Sequence, residues 1–375
     1  MDWKVTICEP TLDQCELDAV IKVVKSGWFT MGEVTKRFEA DFAAALGVKH
    51  CFAVANGTAA LHLANLALDI QAGDEVICPA LTFVASANAS RYTGADVVFA
   101  DSVSENDLSI DPRHIESLIT KRTKAITVVH YAGFGCDMDA IMAIARKHNL
   151  KVIEDSAHAI LAVQPYADGM ASLGSIGDIG CFSFFSNKNM MTGEGGMVVT
   201  NNDVLAEKIR LMRSHGMTSL TLERHKGHSS GYDVIGLGYN YRIDELRSAI
   251  GIEQLKKIAG VNATRRKLIA EYFRLLSLNT NVILPYEGRN LEHATPHIMS
   301  IMLKHNYIAI REALKANGIQ SSKHYDLIPT FSAYKGYKFS SKIEFVNNLI
   351  TLPLHPLMSL DDVAYVCSVI NSFQP

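Results

Sequence analysis

Short apolar runs alternate with helix-like stretches through the first two-thirds of the chain, and this alternation limits the available folds more than any other feature. "EVICPAL" (75–81) reads as a buried strand and is followed by a helix-like stretch from Phe83. "DVVFAD" (96–101), "KAITVVH" (124–130) and "KVIED" (151–155) are further short apolar strands. Between the last two, 137–148 carries apolar residues at three- and four-residue spacing and predicts a helix. A βαβα order of this kind predicts an α/β fold with a mostly parallel sheet covered on both faces. Such sheets bind ligands at the carboxyl ends of their strands, which draws attention to His130, Glu154 and Asp155.

The pattern changes after about residue 243. "IDELRSAIGIEQLKKI" reads as one long helix, "HIMSIML" (297–303) as a strand, and 307–317 as a helix with Asn306 as its N-cap and Gly318 as its stop. A chain of 375 residues usually divides in two. The expected division is a large α/β domain over 1–245 and a smaller α+β domain over 246–375. The polar, Gly/Ser-rich stretch 216–240 reads as a long ordered loop, of the kind that often carries function. There is no internal repeat.

Charge and composition exclude several classes. A formal charge of −3, with no block of five like charges, argues against a nucleic-acid surface. "TRRK" (264–267) is the densest basic stretch and reads as a solvated helix face. The first ten residues lack the apolar core of a signal peptide. The longest uncharged stretch, 51–68, contains Asn56, His62 and Asn65 and makes a poor membrane span. Seven scattered cysteines without a CxxC pair suggest reduced thiols in a cytoplasm. The histidines lack metal spacing, "HKGHSS" (225–230) included. "GSIGDIG" precedes a strand instead of opening a helix after one, so it is not a dinucleotide site.

Three places could carry chemistry. In "FSFFSNKNMMTGEGGMVVT" (182–200), Lys188 stands between two apolar strands at a Gly-rich bend. A loop lysine is ordinarily solvated; one that must lose its proton needs this kind of partial burial. Asp155 ends the strand "KVIED". It reads either as a cap on the next helix or as the carboxylate that keeps the pyridine nitrogen of pyridoxal phosphate (PLP) protonated. "NGTAAL" (56–61) sits at a strand-to-helix junction, where Gly57 and Thr58 would open a helix. The free N–H groups there serve as a plain cap or as a phosphate cradle, with the Ser183 hydroxyl in reach of the same phosphate.

Together these segments resemble the DegT/StrS family of PLP-dependent nucleotide-sugar aminotransferases over nearly the whole chain. The resemblance runs from "SGWFTMGEVTKRFEADFAAALGVKH" through "NGTAALHLANLAL", "PALTFVASANA", "DMDAIMAIARKHNLKVIEDSAHA" and "GDIGCFSFFSNKNMMTGEGGMVVTN" to "GYNYRIDELRSAIGIEQL". It implies the aspartate-aminotransferase fold (PLP fold type I), with PLP in Schiff-base linkage to Lys188 and Asp155 on the ring nitrogen. It implies further that His158 lies beside the ring hydroxyl and that Phe83 stacks on the ring. Gly57, Thr58 and Ser183 match phosphate-cradle positions. Asn240 of "GYNYR" matches a residue that reaches the phosphate from the neighbouring subunit, which makes the protein a homodimer with shared sites. The implied reaction moves an amino group from an amino acid, glutamate in the first instance, to a keto group of a nucleotide-linked deoxysugar. "HYDLIPTFSAY" resembles the family's segment near the sugar only loosely, which leaves His324 as either a substrate-binding or a packing residue. The chain departs from the family at "ILAVQPYADGMASLGS" and "ADSVSEND", away from the PLP positions. Two alternatives remain: a sugar 3-dehydratase of the same family, against which Lys188 speaks because that branch carries histidine there, and a non-catalytic PLP-binding regulator.

Overall fold

The computed structural model describes residues 3–219, 222, 225–227 and 231–373. Helix α1 (Gln14–Ser26) starts at a capping box of Asp13 and Glu16 and stops at Gly27, whose φ of 70° suits a residue without Cβ. Helix α2 (Glu33–Leu46) follows. Then come β1 (His50–Val54), α3 (Gly57–Ala67), β2 (Glu75–Pro79), α4 (Ala85–Tyr92), β3 (Asp96–Ala100), β4 (Ser102–Ser104), β5 (Asp107–Ile110), α5 (Pro112–Leu118), β6 (Thr123–Val129), α6 (Met138–His148) and β7 (Lys151–Asp155). Next are β8 (Val163–Tyr166), β9 (Gly169–Ser172), β10 (Ile179–Ser183), β11 (Gly196–Thr200) and α7 (Asp203–Met212). The chain closes with α8 (Glu245–Leu276), β12 (Val282–Ile283), β13 (Met299–Leu303), α9 (Tyr307–Ala316), β14 (Leu349–Leu352) and α10 (Leu360–Asn371).

The large sheet has seven strands in the order β1-β11-β10-β7-β6-β2-β3. Only β11 runs against the others, pairing antiparallel with both β1 and β10. This is the mostly parallel, two-face-covered sheet that the alternating sequence predicts. The order also places β7 and β10 side by side, with Cys181 opposite Asp155. The family-divergent segment "ILAVQPYADGMASLGS" is largely a hairpin of β8 and β9.

A second core gathers around the antiparallel sheet β12-β13-β14. It packs Leu268, Tyr272 and Leu276 of α8 against Ile301, Ile350 and Val366. Val5 belongs to this core too: it bridges to Ile319, and the Lys4 N–H donates to the Gly318 carbonyl at 2.8 Å. The start of the chain is therefore tied to its carboxyl-terminal third. Helix α8 serves both cores, since its Ile252 and Ile258 pack with Phe38, Phe42 and Phe184 while its far end lies in the second core.

Two sequence expectations change, and a third lies partly outside the described residues. Arg265 of "TRRK" is buried, not solvated, because its guanidinium donates to the carbonyls of His297 and Leu354 at 3.0 and 2.9 Å. Asn306 precedes α9 but does not cap it with its side chain; it sits at φ 61°, in the left-handed region. The stretch 216–240 contains residues outside those described, His228 among them. No helix among the described residues is long and apolar enough to cross a membrane.

Helix α2 has Gly32 at its N-cap and so no side chain of its own to satisfy its first amides. Glu245, at the start of α8, does this from across the fold. Its buried carboxylate accepts from the N–H groups of Gly32, Val34 and Thr35 and from the Thr35 hydroxyl, at 2.6–2.9 Å. Glu245→Ala should lower stability by about 2–4 kcal/mol, because several buried donors lose their acceptor together. Urea unfolding followed by circular dichroism measures this, and a loss under about 0.5 kcal/mol contradicts the account.

Candidate active site

Strand alternation decides which carboxylate faces the ligand. Glu154 and Asp155 are neighbours on β7, so their side chains leave on opposite faces of the sheet. Asp155 lines a cavity of about 420 Å³ at the carboxyl end of the sheet. Glu154 turns away, accepts from His130 Nε2 at 2.9 Å, and takes the N–H groups of Gly174, Ile176 and Gly177. Among the three strand-end residues singled out in the sequence, His130 and Glu154 thus hold structure.

Asp155 is itself held. The Ser86 hydroxyl donates to Oδ2 at 2.7 Å and the Ala157 N–H to Oδ1 at 3.1 Å. Burial pushes its carboxyl up from the ordinary range, opposed by these donors and by the nearby Lys188 charge.

Lys188 enters from the connection between β10 and β11. Ser183 pairs with Gly196 across the two strands, and the Phe184 N–H donates to the Gly195 carbonyl at 2.9 Å, which closes the loop at its base. Gly193 takes the left-handed turn inside it, at φ 80°. Burial lowers the Lys188 ammonium to about 8, against the opposing pull of Asp155. Its Nζ lies 3.4 Å from His297 Nε2.

The third wall is the start of α3. Asn56 caps the helix by accepting from the Ala59 N–H at 2.8 Å. The amides of Gly57 and Thr58, ahead of the first helical hydrogen bonds, have no partner within the helix. Space is tight here: a Cβ on Gly57 would meet Ser183 Cβ at 2.9 Å. Bare backbone and a serine hydroxyl therefore share one concave corner, which suits a phosphate.

Phe83, His158, Ser183, His324 and Tyr325 complete the wall. Phe83 is exposed, with its ring 5.6 Å from that of Tyr325. His158 is buried; its Nε2 meets the Tyr325 hydroxyl at 3.0 Å and its Nδ1 accepts the Ala132 N–H at 3.2 Å. The His324 ring contacts the Thr351 hydroxyl at 3.0 Å, and burial together with Lys188 lowers it to about 4, so it is neutral at pH 7. Asn240 alone among the residues expected to hold cofactor or substrate stays outside the cavity of its own chain, on an exposed segment that bridges to Ser214.

A family model described as the DegT/DnrJ/EryC1/StrS aminotransferase family matches residues 10–371. The chain belongs to this family. It is an aminotransferase of a PLP-dependent group. The spore coat polysaccharide biosynthesis protein SpsC of Bacillus subtilis is 37% identical over 376 residues, covering 96% of this chain and 95% of that protein. GDP-perosamine synthase of Caulobacter vibrioides is 42% identical over 292 residues, covering 77% and 75% respectively. Among solved structures, Helicobacter pylori PseC, an aminotransferase of pseudoaminic acid biosynthesis, superposes with a TM-score of 0.89 at 30% identity. That match covers 100% of this chain and 99% of PseC. The fold is therefore that of the family, PLP fold type I.

Sequence reasoning passed over Tyr325 on the cavity wall and two side chains, Ser86 and His297, that contact Asp155 and Lys188. Ser86 lies three residues beyond Phe83 in "LTFVAS", and Tyr325 lies next to His324 in "HYD". Both stand within quoted motifs, so their place beside polar partners was the available signal. His297 offered none, being a lone histidine ahead of a strand.

The contact between Gly57 and Ser183 can be tested as a pair. Gly57→Ala should cost about 1–3 kcal/mol through overpacking, and adding Ser183→Gly should restore most of it. Thermal melts of the four proteins of the cycle decide this; strictly additive losses would mean that the two positions do not touch.

Proposed function

We propose that this protein transfers an amino group from an amino acid, glutamate in the first instance, to a keto group of a nucleotide-linked deoxysugar, using PLP held at Lys188. One observation carries the reading: a lysine near pKa 8, a buried carboxylate and an open helix N-terminus converge in one cavity. The residues fit the cofactor. Gly57, Thr58 and Ser183 would take its phosphate, Asp155 its protonated ring nitrogen, His158 its ring hydroxyl and Phe83 a ring face.

When bound, PLP supplies an electron sink that no side chain provides. The chain's own residues do the rest. Lys188 would hold the cofactor through its amine and, when free, would carry a proton to and from the substrate carbon. With a pKa of about 8, its neutral form is abundant at mildly alkaline pH. Asp155 would meet the protonated ring nitrogen, held in direction by Ser86 and Ala157. Tyr325 and His324 close the cavity wall on the small-domain side.

The reading includes a homodimer with shared sites. The exposed Asn240 segment supports it, as do the exposed Tyr232, Val234, Ile235 and Leu237 beside it. The seven free thiols support a reducing compartment such as the cytoplasm.

The direct experiment supplies purified protein with PLP, glutamate and a panel of 3-keto and 4-keto sugar nucleotides, and detects amino sugars by mass spectrometry. If glutamate fails to convert the bound cofactor to its amine form and no other amino acid does so, the aminotransferase reading is lost.

Borohydride reduction and peptide mapping should mark Lys188. The rate of PLP capture should rise about tenfold per pH unit below pH 8 and level off above it, as the amine loses its proton. Labelling at another lysine, or a rate still climbing at pH 10, contradicts the assignment.

Mixing Lys188→Ala and Asn240→Ala subunits tests the shared site. Each heterodimer then holds one intact and one doubly altered site, so about half of wild-type activity per heterodimer should return. No recovery in verified heterodimers, with Asn240→Ala itself clearly impaired, excludes sharing.

A further inference from the structure

The imidazoles around Lys188 are fixed in opposite tautomers by their surroundings. His158 and His297 lie with ring centroids 4.4 Å apart. His158 Nδ1 accepts the Ala132 N–H, so its proton sits on Nε2, toward the Tyr325 hydroxyl. His297 is arranged the other way round.

The reason is Asn189, next to Lys188 in the loop. Its amide nitrogen donates to Asn262 Oδ1 at 3.0 Å and faces the carbonyls of Thr295 and Pro296 at 3.1 and 3.2 Å. Those acceptors determine which end of the amide is nitrogen, so the oxygen must face His297. That oxygen lies 3.2 Å from His297 Nδ1 and can only accept. Asn262 is oriented in turn, since its nitrogen donates to the Ile160 carbonyl at 3.3 Å. The chain of polar contacts runs from α8 to the amine with one direction at every step.

We propose that Asn189 and His297 form a tautomer-locked pair that aims the Lys188 amine. Asn189 holds the His297 proton on Nδ1, so Nε2 offers only a lone pair to Lys188 Nζ, 3.4 Å away. A neutral amine then gives one N–H to His297 and turns its own lone pair into the cavity, where a carbonyl carbon or a substrate proton would be. The opposite tautomer would donate to that lone pair and blunt it. His297 is a positioning residue in this scheme. Burial and the Lys188 charge keep it far below its ordinary pKa, so it stays available as an acceptor. The other ionisable groups around the amine are Asp155, His158, Glu194, His324 and Tyr325 on the cavity wall, with Arg265 behind His297. The proposal rests on the reading of Lys188 as the cofactor-capturing lysine.

The test uses the cofactor-free full chain. The pH profile of Lys188 acetylation, read by peptide mass spectrometry, gives the ionisation constant of the amine. His297→Phe removes an acceptor that favours the ammonium, so the constant should increase about tenfold, a lower pKa. Asn189→Leu frees the ring to change tautomer and should shift the constant the same way. His297→Gln keeps an acceptor near the Nε2 position and should stay within about threefold of wild type. Independently, ¹⁵N-histidine spectra of the wild-type protein should show His297 protonated at Nδ1, its signal assigned by its absence in His297→Gln. An unchanged acetylation profile in His297→Phe, or a proton on Nε2 of His297 in the wild type, overturns the proposal. If the Phe and Leu variants fail to fold, the wild-type spectrum alone decides. Borohydride mapping fails separately: reduction at another lysine, with the tautomer intact, removes the cofactor reading and leaves the pair in place.

Discussion

The carboxylate of Glu154 is the fixed point of this molecule. It is fully buried, bonded to His130 and to three backbone N–H groups of the segment leading into β10. Removing a partner from such a group would strand a charge away from water, so the arrangement admits little slack. Strand side chains alternate, and a slip of one residue would exchange the two faces of β7. Holding Glu154 on its side therefore commits Asp155 to the cavity. The same contacts set the path into β10, hence the position of Ser183 and the loop that carries Lys188. One buried acid thus orders three parts of the site without touching its ligand.

The electrostatics of the cavity follow from what surrounds it. Among the described residues, Lys188 is the only lysine or arginine lining it. The imidazoles of His158, His297 and His324 are kept neutral by burial and by that amine. Positive character comes instead from the first turn of α3, where backbone amides point outward with the helix dipole behind them. A dianionic phosphate can be met there without a second buried cation. The lysine stays free to change charge at the other end.

Much of this was legible in the sequence, and the unread parts share a cause. Strands such as 96–101 and 151–155 announce themselves because apolar runs between helical stretches leave few alternatives. Lys188, Asp155 and Gly57 lie in motifs whose local chemistry is visible in a few residues. His297 and Asn262 reach the lysine loop only through closure of the fold, at separations of 109 and 73 residues from their partners in it. Arg265 was misread for a related reason. A basic run looks solvated until its carbonyl partners, one of them Leu354, are brought beside it by long-range packing. The bridge between Val5 and Ile319 is equally invisible, since nothing local to Val5 in the sequence names its partner.

Helix α8 is 32 residues of unbroken α-helix, a rod of about 48 Å. Its first residue caps α2, Asn262 near its middle touches Asn189 beside the lysine, and its far end lies in the second core. It is pinned at three places: at α2, at the loop that carries Lys188, and in the second core. A tilt of about 5° about Asn262 would carry both ends of the rod through about 2 Å, enough to pull Glu245 off the amides of α2. A shift of the carboxyl-terminal core is therefore felt at both of the other anchors, and the lysine loop cannot be placed independently of either core.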